Sequence, residues 1–131
     1  MAEWIIPCNL KYYDVIGAFN KLSCIDWKQS AKNISVGDIV YIYVGRPLMA
    51  IKFKCKVNKI NLDSIEIDDS EFVIIGDNYM NYGNHMELEL LVTYDDQLNL
   101  AELKSHGLKG NVQGPRHMDA EIKSFIDTLK L

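Results

Sequence analysis

The side chains that most often carry out catalysis are scattered along this sequence rather than grouped into a recognisable set. The histidines are His85, His106 and His117, and none of them stands in a known catalytic string. Acidic residues between positions 63 and 71 do not match the spacing of a calcium-binding loop, so a solvated acidic face explains them better. The sequence therefore predicts a protein that is not an enzyme and that needs no cofactor.

The cysteines do not indicate a metal site or a disulfide framework. Cys8, Cys24 and Cys55 are odd in number, lie far apart and include no CxxC pair. None has a histidine at the spacing of a zinc ligand. We therefore expect three reduced thiols, most of them buried.

Aromatic residues are better candidates for chemistry, because they can stack on the ring of a ligand. Trp27 stands in a polar stretch that is predicted to be a loop, where it either covers the edge of the core or forms a stacking platform. Tyr41 and Tyr43 are two apart in a predicted strand and share one face. An aromatic pocket formed by Trp27 and these tyrosines is therefore a plausible binding site.

A few polar residues in turns could contact a charged or hydrogen-bonding ligand. Arg46 and Arg116 are the arginines of this chain, and each lies beside a proline. Because a guanidinium makes planar contacts to phosphate or carboxylate, both are candidates for contacts to a nucleic-acid backbone, together with Lys28 next to Trp27. Gln113 could present its amide to the edge of a base.

Three lysines alternate on one face of a predicted strand, at Lys52, Lys54 and Lys56. Their spacing is close to that of successive phosphates, so they could bind a nucleic acid. Acidic residues on neighbouring predicted strands could instead pair with them across the sheet: Glu66, Asp68, Glu87 and Glu89. We favour the second interpretation.

The first part of the chain predicts a strand, a helix and a loop that position these residues. Residues 3–7 form an apolar run closed by Pro7, which is typical of a first strand. Apolar residues then recur at helical spacing, which predicts a helix over residues 11–22 with Asn9 able to cap it. The segment that carries Trp27 follows as a loop.

The remainder predicts mainly strands and two further helices. Strands are expected at 39–44, 50–60, 62–67, 72–75 and 86–94, with a short one at 111–113. A tyrosine-rich loop is expected at 76–84. Asn99 is predicted to cap a helix over 100–106, and Asp119 a last helix. This order of elements favours an α+β fold with a small barrel of five to six strands and flanking helices.

Length and composition limit the class of protein. With 131 residues and 48% hydrophobic content, the chain is predicted to form a single domain over residues 1–131. Its net charge of −4 counts against non-specific nucleic-acid binding, which depends on many Lys and Arg residues. Neither a membrane helix nor a convincing signal peptide is present, so we expect a cytoplasmic protein without membrane partners.

Several segments together resemble the EVE domain, a branch of the PUA-like superfamily that is related to YTH domains. They are residues 4–9 (WIIPCN), 25–29 (IDWKQ), 36–45 (VGDIVYIYVG) and 112–116 (VQGPR). The resemblance implies a PUA-like pseudo-barrel with a pocket between barrel and loops. It also implies that Trp27 is the cage tryptophan, that Asn9 and Gln113 lie beside the base, and that Tyr41 or Tyr43 lines the pocket.

By this resemblance the chain is expected to be a non-catalytic module that recognises a modified base, most simply a methylated one, flipped out of DNA or RNA. EVE domains also occur beside restriction-type nucleases, so a separate nuclease subunit is a second expected partner. The alternative is a protein-interaction or regulatory domain that keeps the barrel without recognising a base. The kind of modification, the nucleic acid and the oligomeric state stay open.

Overall fold

The computed structural model describes residues 2–29, 33–62, 72 and 85–129. The strands in this part are β1 (Glu3–Cys8), β2 (Cys24–Lys28), β3 (Ile39–Val44), β4 (Ala50–Leu62), β5 (His85–Thr93) and β6 (Arg116–His117). The helices are α1 (Val15–Lys21), α2 (Leu100–Ser105) and α3 (Ala120–Thr128). The predicted strands at 62–67 and 72–75 and the loop at 76–84 lie almost wholly outside the described residues.

The strands form one mixed sheet in the order β2-β5-β4-β3-β1-β6. β1 and β3 run parallel, and the other neighbouring pairs are antiparallel. The predicted α+β class is confirmed. The predicted barrel, however, does not close within the described residues, because β2 and β6 lie at opposite edges and do not pair with each other.

Apolar side chains cover both faces of the sheet. Val40, Ile42 and Val44 of β3 belong to a core cluster that includes residues of α1. Ile39, Tyr41 and Tyr43 point to the other face and pack in a second cluster with residues of α2 and α3. Because successive residues of a strand face opposite sides, a strand buried on both faces is a continuous apolar run, as β3 is.

Helix α1 is shorter than predicted and begins at a different cap. The predicted cap Asn9 lies in a turn instead, where its Oδ1 accepts a hydrogen bond from the N–H of Lys11 at 2.9 Å. The N-cap is Asp14, whose Oδ1 accepts from the N–H of Gly17 at 3.0 Å. The sequence offers an Asx residue at both places, and the choice depends on tertiary packing rather than on capping preference.

Three other local predictions have clear outcomes. Asn99 caps α2 as predicted, since its Oδ1 accepts from the N–H of Glu102 at 2.9 Å. Asp119 is at the N-cap of α3, but its side chain makes no capping bond. The predicted strand at 111–113 is wrong, because the strand forms at Arg116–His117 against β1. The two-residue β6 is too short to have a recognisable alternation.

A buried carboxylate fixes the start of the parallel pair β1–β3. Asp38 is 3% exposed and accepts three hydrogen bonds: from the N–H of Ala2 at 2.9 Å, from the N–H of Ser35 at 2.9 Å, and from the indole N–H of Trp4 at 3.1 Å. Burial is the largest influence on the pKa of Asp38 and raises it. These hydrogen bonds outweigh burial, so the pKa lies below its ordinary value of 3.8.

The lowered pKa of Asp38 predicts a pH dependence of stability. The stabilisation by this carboxylate is fully present above pH 3.8, the unfolded value, and is lost as the pH falls through the lower native pKa. Urea denaturation at a series of acidic pH values should therefore show a steeper loss of stability in the native protein than in Asp38→Asn. Parallel acid limbs in the two proteins would contradict this assignment.

Candidate functional site

A concave pocket of about 460 Å³ lies where three segments of the chain converge. The end of β1 supplies Pro7, Cys8 and Asn9; the end of β3 and the turn after it supply Tyr43, Gly45 and Arg46; the segment before β6 supplies Val112 and Gln113. This volume is within the range of small-molecule sites.

The parallel pairing of β1 and β3 explains why the first two segments meet. The carboxyl ends of parallel strands lie at the same edge of a sheet, and here Cys8 is in register with Val44. The N–H of Gly45 then donates to the carbonyl oxygen of Cys8 at 3.0 Å. A turn follows, in which the N–H groups of Leu48 and Met49 both donate to the carbonyl oxygen of Gly45.

The pocket combines apolar walls with polar groups at its rim. Asn9, Arg46 and Gln113 are exposed. The carbonyl oxygen and Oδ1 of Asn9 accept hydrogen bonds from the turn that follows it. Neither Arg46 nor Gln113 makes a hydrogen bond or ion pair with any of the residues that the structure describes. Arg46 and Gln113 are therefore exposed beside one cavity without an internal partner among the described residues, whereas Oδ1 of Asn9 is already hydrogen-bonded.

Two ionisable groups in the wall are held in their protonated forms. Burial raises the pKa of the Cys8 thiol to about 12. Burial also raises the pKa of Tyr43, whose side chain is only 6% exposed. Near neutral pH, Cys8 is therefore a thiol rather than a nucleophilic thiolate, and Tyr43 keeps its phenolic proton.

Four residues predicted from the sequence come together here: Asn9, Tyr43, Arg46 and Gln113. Trp27 and Tyr41 do not line the pocket. The prediction that Trp27 lies in a loop is wrong, because it belongs to β2 opposite Met86. Trp27 packs against the core cluster that includes residues of α1. Its ring is nearly perpendicular to that of Tyr13, with the ring centroids 5.6 Å apart.

Tyr41 has a structural role in this fold. Its side chain is fully buried, and its hydroxyl donates to Oε1 of Glu3 at 3.2 Å. Burial is the main cause of a raised pKa for this phenol. Since Trp27 and Tyr41 pack in different clusters, the structure does not form the aromatic pair that the sequence predicts.

The two other candidates for backbone contacts do not line the pocket. Lys28 is exposed at the end of β2, where it is in register with His85 of β5. His85 is in register with Leu62 at the end of β4, whereas the pocket lies beside the start of β4. Arg116 is half-buried in β6 and makes contacts within the protein: its Nη1 donates to the carbonyl oxygen of Lys109 at 3.0 Å. The predicted backbone contacts are therefore not grouped around one site.

Two of the three alternating lysines of β4 contact another group of the protein. Lys52 donates to the carbonyl oxygen of Asp95 at 2.8 Å, and Lys54 lies 6.0 Å from the ring centroid of Tyr41. Lys56 is in register with Glu89. Lys56 itself makes no hydrogen bond or ion pair with the described residues. Glu87 pairs with Lys59 instead, at 3.8 Å, so the predicted pairing of the three lysines with Glu87 and Glu89 is not observed, and Glu66 and Asp68 lie outside the described residues.

Sequence reasoning did not place Pro7, Cys8, Gly45 or Val112 in the pocket. The signal that could have found them is topological. Pro7 and Gly45 mark the ends of two apolar strands, and a parallel pairing of those strands would bring both ends together. That pairing is not encoded in the local pattern of either strand.

Comparison with solved structures establishes the fold. The ASCH protein of Zymomonas mobilis superposes with a TM-score of 0.63 at 14% identity, covering 98% of this chain and 95% of that one. A Pseudomonas putida protein gives a TM-score of 0.67 at 17% identity, covering 96% of this chain and 97% of the other. A hypothetical protein from Leishmania major gives 0.65 at 17% identity, covering 96% and 92%.

The fold is PUA-like. The predicted PUA-like fold is thereby confirmed, and at 14–17% identity the likeness concerns the fold alone, not the EVE branch or any other family. Neither a family model nor a curated protein matches the chain.

No cluster of three or more His, Cys, Asp or Glu side chains among the described residues is arranged to hold a metal ion. No helix in the same part of the chain is long and apolar enough to span a bilayer.

Proposed function

We propose that this chain is a non-catalytic nucleic-acid-binding module that accepts an unstacked base in the pocket between β1, β3 and the segment before β6. The observation that carries the proposal is the convergence of Asn9, Tyr43, Arg46 and Gln113 on one cavity of about 460 Å³. These residues are far apart in sequence, yet they supply the groups that a flipped base and its phosphate require.

Each group has a role that follows from its chemistry. The side-chain amide of Gln113 can donate to and accept from the edge of a base, and the amide N–H groups of Asn9, whose Oδ1 accepts from Lys11, can donate to it. Arg46, exposed and without a partner among the described residues, can contact the adjoining phosphate. Tyr43 supplies an aromatic residue in the lining of the cavity.

We propose that the preferred base is modified, in the simplest case methylated. Pro7 and Val112 give the cavity apolar surface against which a methyl group can pack. The resemblance of the sequence to EVE domains supports the same preference. A separate nuclease subunit remains the second proposed partner, on the basis of that resemblance alone.

The chemistry of the wall supports binding rather than catalysis. Its thiol, Cys8, has a pKa of about 12 and stays protonated near neutral pH. The described lining residues include neither a histidine nor a carboxylate that could act as a general base.

The net charge of −4 favours one alternative, a protein-interaction or regulatory domain that uses the same fold without recognising a base. The two functions differ in their salt dependence, because phosphate contacts release counterions. A stable protein partner, found together with no affinity for nucleic acid at low salt, would favour the alternative.

Fluorescence anisotropy with labelled single-stranded RNA and DNA oligonucleotides tests the proposed function. We expect tighter binding when the central base is methylated. Arg46→Ala should weaken binding and reduce the dependence of log affinity on log salt concentration by about 0.7, the value for one phosphate contact on a single strand.

Lys28→Ala is the matched control for Arg46→Ala, because it removes an equal charge from an exposed position at the other end of the sheet. It should leave affinity nearly unchanged. Equal losses from the two variants would mean that binding is not centred on the pocket, and no affinity for any oligonucleotide would refute the proposed function.

A further inference from the structure

The segment that brings Gln113 to the pocket lacks regular secondary structure. It follows α2 and runs to β6, with positive φ angles at Gly107 (104°) and Gly110 (71°). Leu108 and Val112 are buried and attach it to the core. Gln113 itself is exposed and makes no hydrogen bond within the described part of the chain. Its position therefore depends on how the neighbouring backbone is held.

Arg116 holds that backbone. Its Nη1 donates to the carbonyl oxygen of Lys109 at 3.0 Å, and its Nη2 donates to Oδ2 of Asp119 at 3.4 Å. The guanidinium of Arg116 thus links Lys109, within the segment, to Asp119 at the start of α3. Asp119 is at the N-cap of α3 but makes no side-chain capping bond, because its carboxylate is directed to Arg116.

The backbone around Arg116 is itself fixed to the sheet. Arg116 is in register with Ile5 of β1, and the N–H of Met118 donates to the carbonyl oxygen of Glu3 at 2.9 Å. Arg116 therefore connects the loop to the strand that supplies Pro7, Cys8 and Asn9 to the same pocket.

We infer that Arg116 is a positioning residue that holds residues 109–113 so that Gln113 stays at the rim of the pocket. This assignment replaces a direct contact between Arg116 and a phosphate. Its consequence for binding rests on the proposed function, whereas its consequence for the loop does not. An arginine suits this role because its planar fork can donate to two acceptors in different directions, which a lysine ammonium on a flexible stem cannot do as well.

Hydrogen–deuterium exchange tests the loop directly and needs no ligand. In Arg116→Ala, the amide of Leu108, which donates to the carbonyl oxygen of Leu103 at 3.0 Å next to the Lys109 contact, should exchange about tenfold faster, the effect of losing a charge-assisted hydrogen bond, while β1 and β3 amides stay unchanged. Arg116→Lys should also show fast exchange. Lys104→Ala, which removes a charge from an exposed position on α2, should not. Unchanged exchange in Arg116→Ala would overturn the inference.

Oligonucleotide binding separates positioning from direct contact. If Arg116 positions Gln113, Arg116→Ala should weaken binding several-fold with an unchanged salt dependence, and should add little in a Gln113→Ala background. A direct phosphate contact would instead lower the salt slope by about 0.7, add fully to Gln113→Ala, and be largely restored by Arg116→Lys.

The two proposals can fail separately. If the native protein binds no oligonucleotide, the proposed function fails, and the exchange measurement still decides whether Arg116 holds the loop. If exchange rises in Arg116→Ala but affinity does not change, the role of Arg116 in binding is refuted.

Discussion

Replacing Asp38 with alanine is expected to lower the free energy of unfolding by about 3 kcal/mol, because it leaves one buried and two partly buried donors without their shared acceptor. Those donors are the backbone N–H groups of Ala2 and Ser35 and the indole N–H of Trp4. Chemical denaturation should show a lower midpoint with an unchanged dependence on denaturant concentration, which is the behaviour of a purely destabilising substitution.

Two variants make the Asp38 prediction specific. Asp38→Asn keeps one acceptor oxygen and the shape of the side chain, so it should lose less stability than Asp38→Ala. Asp95→Ala removes the same charge from an exposed side chain and should stay within about 0.5 kcal/mol of the native protein. If Asp38→Ala cost no more than Asp95→Ala, the buried carboxylate would not anchor the β1–β3 pair.

The second large effect is expected from the double variant Asn9→Ala/Gln113→Ala. If these amides read the edge of a base, their combined loss should weaken binding to the methylated oligonucleotide by at least about tenfold and remove most of the preference for it over the plain one. Both side chains are exposed, so the variant should stay folded. Anisotropy titrations with the methylated and plain oligonucleotides measure both quantities.

Asn20→Ala provides the control for this variant, because it removes an exposed amide from α1 outside the pocket lining. Its affinity and selectivity should match those of the native protein. If the double variant kept the preference for the methylated base, Asn9 and Gln113 would not be the residues that recognise it.

The strands of the centre of this fold follow directly from sequence patterns. β3 is buried on both faces, and its sequence is a continuous apolar run. Part of β4 alternates between buried and less buried residues, and its sequence alternates between apolar and polar residues. Both patterns predict strands. The cap of α2 at Asn99 is equally local. β2 was missed because its sequence, CIDWK, includes a buried aspartate, Asp26, that a hydrophobic pattern does not anticipate.

The site was predicted only in part, because it depends on contacts between distant segments. Arg46 and Gln113 have polar side chains beside predicted turns, so their chemistry identified them as candidates, whereas Asn9 was a site candidate only through the resemblance to EVE domains. Trp27 and Tyr41 were chosen as aromatic neighbours in sequence, but which face of the sheet each occupies is decided by strand pairing. Strand order and register depend on contacts between distant segments, and the local patterns of a single sequence do not reveal them.

The way the pocket is assembled has a consequence for the order of events during synthesis. Its lining comes from an early, a middle and a late segment of the chain, and the late one carries Val112 and Gln113. During synthesis, β1 and β3 leave the ribosome before Val112 and Gln113, so the two strands can pair while part of the pocket lining is still absent. Ligand binding is thus expected only after Gln113 has been synthesised and packed, and folding has to close long loops, which is slower than forming local contacts.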